Sequence, residues 1–306
     1  MYASGLSASP AGGKLTATAI TLVLISAFIH ASWNIMARRS RAETRFIGRM
    51  LPFVAAVGFL PAVIGQALSG SLPGAVWAYV AASGLCCGFY FFALGRAYES
   101  ADFTTVYPVA RALPVLLVAA GDALRGSMPT LLGWLGMALV VIGCVMAPLY
   151  SRHDLAARLY WNRASLWMML TALGTVGYSL LDKRAAELVP AGPTSAAVYC
   201  YFFYFFAFLG HALMVGACFR GRQRREDRTP LWLPATAGAL SFAGYFLVLW
   251  SFQLVTQASY VVAFRQASLV IAVLMAFAFY REERHYLRLL AVLIITLGLV
   301  LIRLFG

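Results

Sequence analysis

Two arginines lie where arginine is expensive. Arg111 sits in FTTVYPVARALPVLLVAAG and Arg265 in SYVVAFRQASLVIAV, runs that hold no other charge. A guanidinium at mid-bilayer costs anywhere from ~2.5 to ~17 kcal/mol, so by default it marks a functional site. The chemistry on offer is recognition. The planar fork pairs two-pronged with a carboxylate or phosphonate, which an ammonium cannot do. The structural alternative is that each arginine binds carbonyls or an acid and locks helices together.

Other residues could join them. Pro108 and Pro114 interrupt the same run as Arg111 and would act as a hinge, each removing a backbone donor and freeing carbonyls. Asp122 reads as the only acid well inside an apolar run; it would either carry a coupled proton or reach water from a helix end. His30 and Asn34 are four apart and so share one helix face. They line a site or hydrogen-bond a neighbouring helix, as does Ser179, the repeat counterpart of Asn34. Tyr107, Gln266 and Trp250 are further candidates for a substrate cavity, with Tyr260 and Gln253 behind them. Tyr199-Cys200-Tyr201-Phe202-Phe203-Tyr204-Phe205-Phe206 reads first as an interfacial aromatic belt and second as a substrate wall. His211 reads as a packing histidine.

Several chemistries are not written in the chain. The five cysteines are odd in number, lie in apolar runs and show no zinc spacing with the four histidines. Phosphate-loop, nucleophile-elbow and H-E-x-x-H patterns are absent, so no metal or cofactor is expected. An intramembrane enzyme needs a convergent nucleophile and base or paired acids, and one internal acid does not supply them.

The elements that must position these residues follow from composition. Of 306 residues 62% are hydrophobic and only 11% charged, with a mean hydropathy of +0.79. A globular domain carries roughly 25% charge, so most of this surface must face lipid. The net charge of +13 comes from short arginine clusters between apolar runs rather than one basic face, which argues for membrane loops against nucleic acid. Ten spans of about 20 residues are predicted at 18–37, 47–68, 75–97, 103–124, 131–150, 165–183, 195–218, 233–254, 259–280 and 286–304. Basic residues gather on the side reached after odd-numbered spans, in Arg38–Arg49 and Arg220–Arg228 above all. The other side holds Lys14, Arg125, Lys183, Arg184 and Arg303. That bias places both termini outside.

The spans repeat. SAFIHASWNIMARR at 26–39 aligns with TALGTVGYSLLDKR at 171–184, offset 145, and Thr104…Arg111 aligns with Ser259…Arg265. The chain therefore divides into a tail (1–17), a five-span repeat (18–150), a connecting loop (151–164) and a second repeat (165–304). Five is odd, so the repeats cross the membrane in opposite directions, an arrangement that puts a transport site at their interface. Arg111 enters its span by roughly 12 Å and Arg265 by roughly 9 Å from the opposite face, so the pair converges on the midplane.

This all-α architecture, with ALGRAYESADFTTVYPVARA at 93–112 and VAFRQASLVIA at 262–272, resembles the drug/metabolite transporter superfamily, EamA type. The runs His30–Asn34 and Tyr107–Arg111 are similar to a subgroup linked to phosphonate utilisation. The family's Gly-Glu after span 4 stands here as Gly126-Ser127, while Glu282 or Glu283 keeps the acid after span 9. The resemblance implies secondary transport of a small polar metabolite, an organic anion or zwitterion, in a bacterial inner membrane. It also implies cytoplasmic termini, against the charge bias. An amino-acid exporter of the same fold is the nearest alternative, and a lipid-translocating or structural membrane protein a more distant one. The partners expected are a small-molecule substrate and the lipid bilayer, with a homodimer left open.

Overall fold

The computed structural model describes residues 15–38, 43–100, 103–147, 149, 163–218, 230–279 and 286–306. Among them every regular element is a helix: α1 (Ala17–Arg38), α2 (Glu43–Val57), α3 (Phe59–Ser69), α4 (Val76–Ser100), α5 (Phe103–Leu124), α6 (Leu131–Met146), α7 (Arg163–Ala186), α8 (Pro193–Cys218), α9 (Trp232–Phe252), α10 (Ala258–Phe264), α11 (Ala267–Phe279) and α12 (Tyr286–Phe305). A helix lies at each expected span, with α2–α3 at the second and α10–α11 at the ninth. By length and composition alone, α4, α8, α9, α10–α11 and α12 can each cross a bilayer, and the bent pair α2–α3 can do so together.

Two interruptions shape the bundle. Between α2 and α3 the chain bends by 45° at Gly58. Pro61 cannot donate to the carbonyl one turn back, and a Cβ at Gly58 would strike the Tyr201 ring. The Tyr201 hydroxyl donates to the Ala55 carbonyl at 2.6 Å, meeting a backbone acceptor beside the bend. The second interruption, Arg265–Gln266 between α10 and α11, belongs to the site.

Packing obeys the repeat. Exchanging the halves turns α1 into α7, α2–α3 into α8, α4 into α9, α5 into α10–α11 and α6 into α12. The packed pair α4–α7 becomes α9–α1, α4–α8 becomes α9–α2, and α6–α12 and α5–α10 map onto themselves; all are in contact. At α6–α12 the backbones touch: a Cβ at Gly136 would lie 2.8 Å from the Gly298 carbonyl oxygen. Small residues permit such close approach where lipid supplies no hydrophobic drive between helices. Leucines such as Leu213, Leu293 and Leu131 point outward, 66–84% exposed, as a lipid-facing surface requires.

One end of the bundle is tied by charge. Glu187, after α7, accepts from Arg125 after α5 at 2.7 Å and from Arg184 at 2.9 Å, and it lies 3.3 Å from Lys183. Lys183 itself is buried and donates to the carbonyls of Phe252 (3.1 Å) and Val255 (2.7 Å). It thus meets the acceptors that the end of α9 leaves open. Burial pushes the Glu187 carboxyl up, but the Arg184 hydrogen bond and the Lys183 and Arg125 charges outweigh it and hold the group below its ordinary value.

Candidate functional site

The seven residues of α10 are all buried, so both of its ends need partners that water cannot supply. Helix α5 provides them. Asp122 accepts from the Ser259 N–H at 2.8 Å. Eleven residues earlier, Arg111 donates through Nη2 to the Arg265 carbonyl at 3.0 Å and through Nε to Gln266 Oε1 at 3.0 Å. The acid meets the amide end and the base meets the carbonyl end, the signs that a helix favours. Pairing 122 with 259 and 111 with 265 also makes the two repeat-equivalent helices antiparallel, as inversion demands.

With its carbonyl held by Arg111 and by the Ser268 hydroxyl at 2.9 Å, Arg265 turns its side chain the other way. It borders a cavity between the halves, walled by His30 and Trp33 of α1, Tyr90 of α4, Tyr178 of α7, and Phe203 and Tyr245 of α8 and α9. The guanidinium carbon stands 5.4 Å over the Tyr245 ring, a cation–π contact, and the guanidinium also hydrogen-bonds the Tyr178 side chain. Tyr245 stacks on Phe203 with centroids 4.7 Å apart and meets Tyr178 edge-on at 5.6 Å; Tyr178 in turn meets Tyr90 at 5.7 Å. His30 accepts from the Trp33 indole at 3.0 Å. The cavity measures about 20 Å³, on a scale where one water takes roughly 10–15 Å³. That is room for one or two waters.

Behind this wall lies Asp182, fully buried on α7. It accepts hydrogen bonds from three hydroxyls on three helices: Ser83 of α4, Tyr199 of α8 at 2.7 Å, and Tyr245 of α9. Tyr245 is shared, with its ring in the cavity wall and its hydroxyl on the acid.

The bundle is thus two paired inverted halves with an arginine at the cavity between them. The EamA-like transporter family model matches residues 17–148 and again residues 162–304. The chain belongs to the EamA-like transporter family. A relative from Sinorhizobium sp, the uncharacterized transporter in the cobO 3'region, is 27% identical over 103 residues, which is 33% of this chain and 73% of its own. One solved crystal structure of a protein superposes with a TM-score of 0.70 over 94% of this chain and 97% of its own, at 18% identity. That likeness carries the fold alone.

For this EamA-like membrane transporter the structure distributes the sequence candidates unevenly. Arg265 and His30 border the cavity. Arg111 and Gln266 stand together one step away; Gln266 is buried and donates to the Val262 carbonyl at 3.0 Å. Ser179 is fully buried with no hydrogen-bond partner for its hydroxyl among the described residues. Trp250 packs on Phe246 at 6.0 Å, away from the cavity wall. Pro114 is buried inside an α5 that runs unbroken from Phe103 to Leu124, so neither it nor Pro108 ends the helix. The side chains of Asn34, Tyr107 and Pro108 lie outside the described residues.

Two readings need correction. Asp122 does not reach water: it is fully buried and accepts from the Ser259 N–H at the start of α10. The tyrosines of α8 form no belt. Tyr199, Tyr201 and Tyr204 are each 2–3% exposed, and each hydroxyl has a partner, respectively Asp182, Ala55 and Ser241.

Proposed function

We propose that this EamA-like transporter moves a small organic anion or zwitterion across a bacterial inner membrane by alternating access, with Arg265 binding the anionic group. The observation that carries this reading is the asymmetry of the repeat-related arginines. Arg111 uses its donors on the backbone and on Gln266, whereas Arg265 presents a cation to an aromatic cavity between inverted halves. Transporter sites of this kind sit at the repeat interface near the membrane midplane. Tyr178, Tyr90 and Tyr245 supply faces for a ligand's carbon skeleton or ammonium group. The cavity's small size fits a closed state, and opening at the end where Arg125 meets Glu187 would part that contact between the halves.

The test is uptake into proteoliposomes of labelled methylphosphonate, 2-aminoethylphosphonate, glutamate and alanine. At least one should accumulate with saturation, and Arg265→Lys should raise its half-saturating concentration while the protein still inserts and melts normally. Uptake of a neutral sugar or of none of the four by wild type, or an Arg265→Lys variant with wild-type affinity, would remove the anion reading.

A further inference from the structure

We propose that Asp182 is the transporter's proton-binding site, and that Tyr245 couples its charge state to the anion site at Arg265. This rests on the reading of Arg265 above and adds the coupling ion. A carboxylate with no contact to water keeps its charge only through the donors around it, and here all three donors are hydroxyls that can rotate. An ionised carboxylate only accepts, while a protonated one must also donate. Loading a proton therefore forces one hydroxyl to turn away, and the structure supplies its alternative: Ser83 Oγ lies 3.4 Å from the Tyr178 carbonyl, one turn back on α7.

The route is equally local. A hydronium ion entering the cavity gives its proton to the Tyr245 oxygen as Tyr245 passes its own hydroxyl proton to Asp182, and it remains behind as neutral water. The bond made at Asp182 is balanced by the one broken at Tyr245, whose hydroxyl is restored from the hydronium, and the proton comes from whichever side the cavity faces. The other titratable or charged groups facing Asp182 are Cys86 and Cys87 on α4, Tyr199 and Cys200 on α8, and Arg265 at the end of α10. Arg265 is the only permanent charge among them. When Asp182 is ionised it offsets that charge, and when protonated it leaves the whole field of Arg265 to an incoming anion. Proton and anion thus bind together and move in the same direction. By linkage, each raises the other's affinity by one common factor.

Infrared spectroscopy of the full chain in lipid reads the proton site without any ligand. Between about pH 4 and about pH 9, the range spanning ordinary and shifted carboxyls, wild type should show a reversible protonated-carboxyl band that Asp182→Asn lacks. In proteoliposomes, methylphosphonate affinity should tighten roughly 5–150-fold as pH falls across that band, the span of ordinary site-to-site coupling. Asp182→Asn, neutral at every pH, should hold the acid-side affinity throughout, and Tyr245→Phe should keep the band while weakening the coupling. Identical spectra for wild type and Asp182→Asn, or wild-type methylphosphonate flux that ignores pH, would overturn the proposal. If Asp182→Asn fails to insert, wild type and Tyr245→Phe decide alone: no reversible band in either would equally overturn it. A titrating Asp182 band in a protein that moves no anion would instead sink the transport reading and support the proton site.

Discussion

Arg111 and Arg265 occupy corresponding places in the two repeats and do different work. Arg111 reaches across to the opposite half and binds backbone, making the end of α10 possible inside lipid. Arg265, whose carbonyl is the one held, is free to aim its guanidinium into the cavity. An inverted repeat duplicates an expensive residue, and a closed interface has room for only one copy to face its centre. The second copy becomes the support of the first. The same division runs through the acids: Asp122 caps a helix through a rigid amide contact, while Asp182 is held by hydroxyls that can turn.

The largest effect expected is at Arg265. Removing the guanidinium by Arg265→Ala should weaken anion affinity by at least the loss of one two-pronged contact, about 1.5–3 kcal/mol or roughly 10–150-fold, and Arg265→Lys should fall at the lower end. Melting temperature in detergent should change little. A variant with unaltered affinity would erase the functional half of the comparison.

Arg111→Ala should act in the opposite currency. It leaves Gln266 Oε1 without its donor in a buried place, which costs about 1–3 kcal/mol, and takes one donor from the Arg265 carbonyl, which keeps the Ser268 hydroxyl. The expected outcome is lower yield and a lower melting temperature, with residual affinity loss arising only through a misplaced Arg265. A double-mutant cycle sharpens this: residues sharing one network should show an interaction energy of about 0.5–3 kcal/mol. Additive effects would mean the two arginines serve separate sites.

How much of this was legible beforehand depends on distance along the chain. The spans were readable because lipid imposes length and apolarity on each helix separately. The inversion was readable because the halves share residues at a constant offset and five is odd. The arginines stood out as lone charges. Which of them faced the cavity was not readable, since it turns on a contact between residues 154 apart. Asp182 was missed because Leu-Asp-Lys-Arg looks like the end of a span, and its donors come from three other helices. One signal was available: at the offset of 145, Asp182 aligns with Ala37, so the acid breaks the repeat where its neighbours Lys183 and Arg184 keep it. The tyrosines of α8 misled because residue type suggested an interface, whereas their burial turns on partners from other helices.

Asp122→Asn should have a smaller effect than either arginine change. The amide oxygen still accepts from Ser259, and only the charge at the start of α10 is lost, worth about 0.3–1 kcal/mol. Stability should fall by that amount, with the pH dependence of flux intact. Loss of proton-driven flux in Asp122→Asn, with Asp182→Asn unaffected, would exchange the roles assigned to the two acids.

The smallest effect is expected at Glu187, where the halves meet outside the lipid rather than within it. Arg125 of the first half and Arg184 of the second both reach this carboxylate, as Arg111 crosses between halves at the core. Because the folded protein holds Glu187 below its ordinary value, its stabilising contribution is complete above the unfolded carboxyl's pKa of about 4.3. It is lost as pH falls through the lower folded value. The site is partly exposed and water screens it, so the contribution should stay under about 1 kcal/mol. Denaturation of wild type and Glu187→Gln should therefore differ slightly at neutral pH and converge in acid. A difference that persists in acid would show that Glu187 acts by packing over Lys183 rather than by charge, and that only the buried arginine joins the halves electrostatically.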